Sequence, residues 1–232
     1  VEDCLKALDL LGPKLVQIYG QGEAPMTITA LSRATHMATD DPQYLEKLAS
    51  VGTARSDLEV SIVDEIDNPL PAGEIGEVCV RGDVVMRGYW RNKQATNESL
   101  RDGWLHTGDI ATVDEDGYCF IVGRKKDMIN CSGFKVFPDE VDGVLVAHDA
   151  ILEAATIGIP HDEYGETVKS FIVLNPGQSL SIEEVRDYCR ENMAKYKVPR
   201  EIEFLDALPK TISGKIRRVE LREAAREEAE AG

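Results

Sequence analysis

Alternating apolar and polar residues dominate one long stretch of the chain, from about Val51 to Val122. Within it, LEVSIVD (58–64) and IGEVCVRG (75–82) each predict a β-strand, and DIATVDEDGYCFIVG (109–123) predicts two strands around a turn at 114–117. A period of two places successive side chains on opposite faces of a sheet. We therefore predict a β-rich region here.

The pattern changes after Gly123. PDEVDGVLVAH (138–148) predicts a helix that begins at its proline, whereas ILEAATIGIP (151–160) and ETVKSFIVL (166–174) predict strands. Helices and strands therefore alternate in the last part of the chain. We place a domain boundary near 123–127, where a β-only pattern gives way to a mixed one.

A capping box, Ser181-Ile-Glu-Glu184, precedes an amphipathic helix. Its apolar side is predicted to consist of Ile182, Val185, Cys189 and Met193. Near the start of the chain, a possible helix is followed by a short strand-like run, LVQIYG (15–20). Near its end, REIEFLD (200–206) predicts a strand and IRRVELREAAREEAEA (216–231) predicts a charged terminal helix.

These elements predict an α+β fold in two parts. Residues 1–125 are predicted to be β-rich, and residues 126–232 are predicted to form a small α/β domain with a short antiparallel sheet flanked by helices. A chain of 232 residues with 43% hydrophobic residues can bury one sizeable core or two smaller ones.

Composition narrows the classes of protein. No apolar run approaches the 18 residues that a membrane span needs, and VEDCLKALDL has neither a basic start nor an apolar signal core, so we predict no integral membrane segment and a cytoplasmic protein. The cysteines form no CxxC pair and predict reduced thiols, not disulfides or a zinc site. They are Cys4, Cys79, Cys119, Cys131 and Cys189.

Charge is distributed unevenly. The net charge of -16 and a pI near 4.7 argue against nucleic-acid binding. Residues 124–135 and 195–222, however, together hold 12 of the 26 Lys and Arg and carry +7, while the rest of the chain carries -23. Such runs are typical of a solvated basic face, but they also suit a pocket for a small polyanion.

Four motifs add chemistry to this picture. They are YGQGE (19–23), GWLHTGD (103–109), GRKKDMINCSGFKVFPDEVD (123–142) and PKTISGK (209–215). Each alone is weak, but their order and spacing across almost the whole chain resemble the adenylate-forming (AMP-binding) superfamily of acyl-CoA synthetases, peptide-synthetase adenylation domains and luciferases. The resemblance implies an enzyme that activates a carboxylic acid with ATP.

The resemblance also implies a domain assignment and a reaction. Residues 1–125 would be the C-terminal part of the large AMP-binding domain, and residues 126–232 the C-terminal lid domain. The expected reaction is an acid-thiol ligation through acyl-AMP to acyl-CoA, with a medium- or long-chain fatty acid favoured and an aryl acid open. Transfer of the acyl group to a carrier protein, or a non-catalytic nucleotide- or partner-binding remnant, are the alternatives.

Lys215 is the expected catalytic residue. ATP and a carboxylate repel each other, so a cation must bring them together and stabilise charge at the transferred phosphorus. Gly214 permits a tight turn that presents the ammonium of Lys215 on a loop. A plain surface lysine is the alternative interpretation.

The resemblance implies a nucleotide site made of Tyr19, Gly20, Gln21, Asp109 and Arg124. Tyr19 and Gly20 would form an adenine platform. Asp109 and Arg124, at the two ends of the predicted hairpin, would contact the ribose hydroxyls. A structural ion pair that closes the hairpin is the alternative for these two residues.

Glu23 resembles the glutamate that holds Mg²⁺ on the phosphates in this family. The family usually has threonine before that glutamate, whereas this chain has Gly22. A hydroxyl contact to phosphate is therefore not expected here, although a backbone N–H could replace it in part.

The second half-reaction brings in further residues. Lys126 corresponds to the hinge about which the lid domain rotates, and it could equally be an exposed linker lysine. Two segments resemble those that meet coenzyme A, since glycine allows close approach to pantetheine and cations meet phosphate. They comprise Ser132, Gly133, Phe134 and Lys135, with Val198, Pro199 and Arg200.

Some candidates and features do not fit catalysis. No histidine has a partner in a nucleophile motif, so His106 is expected to pack, and Cys131 is not expected to be a nucleophile. The phosphate loop and most of the acyl pocket of the family have no counterpart in this sequence. We therefore expect a fragment that binds nucleotide weakly and does not turn over alone.

Overall fold

The structure is a computed structural model that describes residues 1–25 and 28–231, with side chains in the last helix up to Glu227. The chain divides into two compact units. The first is Val1–Lys125, and the second begins at Lys126. This division lies within the region where the sequence pattern changes from β to mixed α and β.

The first unit combines short helices with two antiparallel sheets. Its elements are α1 (Glu2–Leu11), β1 (Gln17–Tyr19), β2 (Thr29–Leu31), α2 (Arg33–His36), α3 (Tyr44–Ala49), β3 (Thr53–Ala54), β4 (Glu59–Val63), β5 (Gly76–Arg81), α4 (Lys93–Ser99), β6 (Leu100–Arg101), β7 (Trp104–Val113) and β8 (Cys119–Arg124).

The larger sheet of the first unit has the order β4-β5-β7, with β6 and β8 both pairing with β7. The smaller sheet has the order β1-β2-β3. Backbone hydrogen bonds from Val51 to Cys119 and from Cys119 to Gly52 join the two sheets. The predicted strands at 58–64, 75–82 and 109–123 are all confirmed.

The core of the first unit lies against the central strands. Val78, Val80 and Leu105 are almost completely inaccessible to solvent, and Ile28 packs into the same cluster. The strand β5 is buried from Gly76 to Val80, so both of its faces are covered. This burial is important for the site, because a charged residue, Glu77, lies in the middle of that strand.

The second unit is built on one five-stranded sheet. Its elements are β9 (Ile129–Cys131), β10 (Phe134–Val136), α5 (Pro138–Val146), β11 (Ile151–His161), β12 (Gly165–Leu174), α6 (Ile182–Asn192), β13 (Glu201–Phe204) and α7 (Arg218–Ala231).

One feature of this sheet corrects the prediction of an antiparallel sheet. The strands β10, β9, β12 and β11 are antiparallel neighbours, but β13 pairs with β12 in the parallel direction. The connection from β12 to β13 contains α6, and a crossover helix returns the chain to the same end of the sheet, so the following strand runs parallel.

Helices cover both faces of the sheet because β11 and β12 alternate. Residues such as Ala154 and Ile172 join a core with α5 and α6, while Ile157 and Phe171 join a second cluster with Leu221 of α7. The α+β fold class is thus confirmed. None of the described helices is long and apolar enough to cross a membrane.

The capping box predicted before α6 is present. The Ser181 hydroxyl accepts a hydrogen bond from the Glu184 backbone N–H, and the Glu184 carboxylate accepts one from the Ser181 N–H. Val185 and Cys189 are buried as predicted, but Ile182 is 39% exposed, and Met193 is partly buried and lies just after the helix as its C-cap. Local sequence therefore determines where this helix begins and which side packs.

Candidate functional site

Asp109, on β7, is the centre of a polar site in the first unit. This residue is only 4% exposed, and its carboxylate accepts hydrogen bonds from the Tyr19 hydroxyl and from Gln21 Nε2, both at 2.6 Å from Oδ2. Arg124 Nε lies 3.0 Å from Oδ1. Four residues predicted for the nucleotide site are therefore together, with Gly20 in the chain between Tyr19 and Gln21.

The ladder between β7 and β8 explains the pairing with Arg124. Asp109 and Arg124 are directly opposite each other in the antiparallel register, so their side chains share a face. About half of the Arg124 side chain is exposed, whereas Asp109 is buried. The ion pair considered as the alternative is thus present, and the exposed part of the guanidinium retains donors for a ligand.

Tyr19 acts as a donor in this arrangement. Burial raises the pKa of its hydroxyl well above the ordinary range, and the hydrogen bond to Asp109 and the charge of Asp109 raise it further. The phenol therefore stays protonated and donates a hydrogen bond to the Asp109 carboxylate. This fixes the orientation of the Tyr19 side chain.

Glu77, which the sequence pattern did not single out, contacts the chain neighbours of Asp109 and Arg124. It lies on β5, is 6% exposed, and accepts hydrogen bonds from the Gly108 N–H at 3.1 Å and from Lys125 Nζ at 2.9 Å. Gly108 precedes Asp109 and Lys125 follows Arg124, so one carboxylate holds both strands of the hairpin. A glutamate inside the apolar run of IGEVCV was the available signal.

The pKa of Glu77 results from opposing effects. Burial alone would raise it, but the hydrogen bond and charge of Lys125 lower the pKa of Glu77 below its ordinary value. Glu77 therefore stays ionised at neutral pH, and its charge remains paired with Lys125.

His106 packs, as predicted. Its Nδ1 lies 2.6 Å from a guanidinium nitrogen of Arg101 and 3.3 Å from Cys79 Sγ. A guanidinium carries only donors, so Nδ1 accepts this bond. Burial raises the pKa of Cys79 to about 12, with a further contribution from the charge of Glu77, so the thiol is not an activated nucleophile.

A cavity of about 610 Å³ opens beside these residues. Glu23 lines it, and the Tyr89 hydroxyl donates a hydrogen bond of 2.6 Å to the Glu23 carboxylate. Gln21, Glu77 and Lys125 also face this cavity. A partly exposed carboxylate at the rim suits a Mg²⁺ ion, which keeps several waters and binds proteins through one or two carboxylates.

Lys215 lies at the tip of a small hairpin in the second unit. The Thr211 N–H donates to the Lys215 carbonyl at 2.8 Å, and the Gly214 N–H donates to the Thr211 carbonyl at 2.9 Å. Gly214 has a φ of 82°, a left-handed value that glycine adopts without strain. Lys215 is exposed and forms no ion pair with another residue in the described part of the chain.

Lys126 is exposed and lies in the short 3₁₀ helix Lys125–Asp127, where the first unit ends and the second begins. Its neighbour Asp127 accepts a hydrogen bond from Arg222 of α7. The segment expected to be the hinge is thus short, and it is anchored to the second unit directly after Lys126.

A second cavity, of about 810 Å³, lies wholly within the second unit. The residues predicted to meet coenzyme A that line it are Ser132, Phe134, Val198, Pro199 and Arg200. Gly133 and Lys135 lie in the same loop and strand but are not among the lining residues. Sequence reasoning missed several other residues of this cavity, and they are Tyr164, Arg186, Arg190, Lys195 and Tyr196.

Both aromatic rings and cations line this cavity. Phe134 stacks on Tyr196 with ring centroids 4.7 Å apart, and the Arg200 guanidinium lies 4.1 Å from the centre of the Tyr164 ring. Such surfaces bind flat, anionic groups, because the rings offer stacking and the guanidinium offers charge. Burial raises the pKa of the nearby Cys131 thiol.

Comparisons with known proteins give the site a context. The model of the AMP-binding enzyme family matches residues 2–90, and the model of the AMP-binding enzyme C-terminal domain matches residues 140–215. A long-chain-fatty-acid--CoA ligase of Yersinia pestis is 44% identical over 215 residues, covering 92% of this chain and 36% of that protein.

A feruloyl-CoA synthase of an Amycolatopsis species is 41% identical over 211 residues, covering 91% of this chain and 41% of that protein. Among solved structures, an o-succinylbenzoate CoA synthetase from Bacillus subtilis, in complex with its acyl-adenylate, has a TM-score of 0.83 and 32% identity. That comparison covers 94% of this chain and 43% of the synthetase, so the chain spans well under half the length of the relatives it matches.

Proposed function

This chain belongs to the adenylate-forming superfamily and is of the acyl-CoA synthetase type, and on that premise we propose that the protein carrying it activates a carboxylic acid with ATP. The carboxylate displaces pyrophosphate to give acyl-AMP. The thiol of coenzyme A then displaces AMP, loses its proton, and forms the thioester. The observation that supports this most directly is the convergence of Tyr19, Gln21 and Arg124 on the buried Asp109.

We assign the Asp109 cluster to the nucleoside. Ribose hydroxyls can donate to the Asp109 carboxylate and accept from the exposed part of Arg124. Gly20 leaves room for close approach of the adenine to the backbone beside Tyr19. The donors already on Asp109 hold its carboxylate in one orientation, so little is lost in ordering when the nucleotide binds.

Lys215 supplies the mobile cation of the first half-reaction in this proposal. Its ammonium would lie between the carboxylate and the α-phosphate and stabilise the charge that develops in the transition state. Glu23 would hold Mg²⁺, which neutralises phosphate charge when bound. The exposure of Lys215 and its lack of an ion pair among the described residues leave it available for this role.

The second half-reaction would use the cavity of the second unit. Phe134 and Arg200 offer stacking and charge to the nucleotide end of coenzyme A. Adenylation and thioester formation need different groups over the same site. Rotation about Lys126 would therefore move Lys215 away and bring the cavity with Phe134 and Arg200 into its place. In this scheme residues 1–125 belong to the large domain and residues 126–232 are the lid.

A long-chain fatty acid is the substrate we propose, because relatives with 41–48% identity carry the name long-chain-fatty-acid--CoA ligase. The feruloyl-CoA synthase relative makes an aryl acid the substrate to compare with it. Mg²⁺ as cofactor and a cytoplasmic location remain parts of the proposal.

The complete protein that carries this chain tests the proposal. ATP–pyrophosphate exchange should respond to fatty acids of graded chain length, with ferulate as the aryl comparison. Lys215→Ala should reduce the exchange rate by about two to three orders of magnitude, which is typical of losing one group that stabilises transition-state charge. Lys210→Ala is the matched control, since Lys210 lies in the same hairpin but pairs with Glu153 at the surface.

Two results would contradict these assignments. Retention of exchange in Lys215→Ala would remove the lysine from catalysis. Exchange that is robust with the 232-residue chain alone would contradict the expectation that residues outside it complete the site. Replacing coenzyme A by an acyl carrier protein in the second step separates the ligase from a carrier-loading enzyme.

A further inference from the structure

Arg218, three residues after Lys215, is held by two acidic residues of another helix. Its guanidinium Nη2 donates to Asp139 Oδ1 and to Asp142 Oδ2, both at 2.6 Å. The side chains of Arg218 and Asp142 are 19% and 12% exposed, whereas Asp139 is half exposed. The first turn of α7 is thereby fastened to α5.

This cluster is poorly explained by stability alone. Burial raises the pKa of Asp142 to about 6, although the Thr156 hydroxyl and Arg218 oppose the shift, so the carboxylate is ionised at neutral pH at a cost. Arg218 Nε is buried and has no hydrogen-bond partner among the described residues. Buried ion pairs of this kind are often no more stabilising than apolar residues of the same size, but they fix the geometry of the elements they join.

The geometry connects Arg218 to the loop of Lys215. The neighbouring Arg217 N–H donates to the Pro209 carbonyl at 2.8 Å, and this bond closes the base of the hairpin that carries Lys215. Leu208 and Ile216, on the two sides of the hairpin, pack against the core under α7. The tip itself is exposed, so the position of Lys215 is determined by the base of its hairpin.

A second arginine extends the connection along α7. Arg222 lies one turn after Arg218, on the same side of the helix, and donates to Asp127. Asp127 directly follows Lys126 in the chain. The helix α7 therefore runs from the hairpin of Lys215 to the segment assigned to the hinge, with an arginine anchor at each point.

We propose that Arg218 is a positioning residue for Lys215: its contacts with Asp139 and Asp142 fix the start of α7 and hence the hairpin that presents the ammonium. This inference rests on the proposed function of Lys215. Arg218 touches neither nucleotide nor acid in this scheme, and it acts through the backbone of residues 209–217. Arg222 maintains the same helix relative to the hinge segment.

The test compares adjacent arginines in the complete protein. Arg218→Gln removes the charge that meets both carboxylates, while Arg217→Gln makes the same chemical change at a surface pair with Glu220. Arg218→Gln should lower the maximal rate of ATP–pyrophosphate exchange by about tenfold to a hundredfold, with little change in the KM for ATP, because a displacement of about 1 Å has effects of that size. Arg217→Gln should stay within about twofold of the parent.

The second half-reaction distinguishes positioning from general damage. Thioester formation from synthetic acyl-AMP and coenzyme A does not use Lys215 in the proposed scheme, so Arg218→Gln should leave its rate within about twofold. Equal losses in both half-reactions would overturn the inference. Arg218→Lys, which keeps a charge but not the fork, should recover part of the exchange rate.

A readout besides activity separates this inference from the proposed function. Hydrogen exchange of the amides of Thr211, Gly214 and Arg217, measured in the 232-residue chain, should be faster in Arg218→Gln than in Arg217→Gln, with unchanged exchange in β12. Unchanged protection of the hairpin would overturn the inference whether or not the protein is a ligase.

If Arg218→Gln fails to fold, Asp139→Asn removes the exposed partner alone and should show the same effects more weakly. Absence of exchange activity in the parent protein would instead contradict the proposed function.

Discussion

The buried carboxylate of Asp109 receives three donors, from Tyr19, Gln21 and Arg124. Asparagine has the same shape but only one acceptor oxygen, and its amide nitrogen would face a donor. In Asp109→Asn we expect the free energy of unfolding of the 232-residue chain to fall by about 1–3 kcal/mol, the cost of leaving buried polar groups unsatisfied. Urea unfolding measures this change.

The same substitution should weaken AMP binding by the complete protein, which calorimetry can measure. Asp116→Asn is the matched control, because Asp116 is an exposed residue of the turn between β7 and β8. Equal stabilities and equal affinities in the two variants would show that the Asp109 cluster is neither structural nor a nucleotide site.

By the resemblance of YGQGE to the superfamily motif, Gly22 stands where a threonine is expected. A Cβ at this residue would meet no atom of the described residues within 4 Å, and the backbone does not require glycine there. We expect Gly22→Thr to change the free energy of unfolding by no more than about 0.5 kcal/mol and to tighten ATP binding through the added hydroxyl.

Gly22→Ala separates the hydroxyl from the added volume and should bind ATP like the parent. Calorimetric titration of the complete protein with ATP compares the three forms. Weaker binding by the threonine variant than by the alanine variant would show that phosphate does not approach this position.

Which side chains lie together could be predicted from the sequence where a hairpin sets the register, and could not where it depends on pairing between distant strands. Asp109 and Arg124 could be placed together because a hairpin sets their register. Glu77 could not, since its partners Gly108 and Lys125 lie 31 and 48 residues away and meet it only once β5 and β7 have paired. The only local sign was a single glutamate within the apolar sequence IGEVCV.

At the scale of elements, the contact between α5 and α7 predicts a pH dependence. Asp142 has a folded-state pKa of about 6 against an ordinary value of 3.8, so the folded state holds its proton more tightly. The contribution of this group to stability is complete below about pH 4 and is lost as the pH rises through 6. Two pKa units correspond to at most about 3 kcal/mol.

Asp142→Asn should abolish this component. Urea unfolding at pH 4, 5, 6 and 7 measures the free energy of unfolding of both proteins. The parent should become less stable relative to the variant as the pH rises to 6, and the difference should then stay constant. Other carboxylates, such as Asp64, have a lowered pKa and titrate in both proteins, so their contribution cancels. A difference independent of pH would contradict the buried state of Asp142.

Elements that are determined locally were predictable, and their long-range arrangement was not. The start of α6 follows from Ser181 and Glu184 within one turn of helix, and the turn at 114–117 follows from Asp114 and Gly117. The parallel pairing of β13 with β12 depends on how the intervening helix packs on the sheet, which no alternation of β13 itself reveals.

At the scale of the whole chain, the cations of the two basic segments, 124–135 and 195–222, fall into two groups. At least five of their twelve cations form ion pairs with carboxylates inside the second unit, which the interpretation as a charged face anticipates. Examples are Lys197 with Glu140, Lys210 with Glu153, Arg218 with Asp142, and Arg222 with Asp127. Lys215 at its hairpin tip and Arg200 at the second cavity face open space instead, and these are the cations proposed to meet anionic substrates.

The division of the chain predicts that the second unit folds alone. Both faces of its sheet are covered by its own helices, and both clusters of buried apolar residues come entirely from positions after Lys126. We expect residues 126–232 to unfold in one cooperative transition with a free energy of about 5–10 kcal/mol, as is usual for a domain of about 100 residues.

Removal of α7 provides the matched comparison. Residues 126–217 lack Leu221, which packs against β11 and β12, and they lack Arg218, which binds α5. Loss of one buried leucine alone costs about 2–5 kcal/mol, so the shortened segment should be marginally stable or unfolded. Circular dichroism during urea titration compares the two. A segment 126–232 without a cooperative transition would mean that its core requires residues of the first unit, and a shortened segment of equal stability would mean that α7 anchors neither the core nor the hairpin of Lys215.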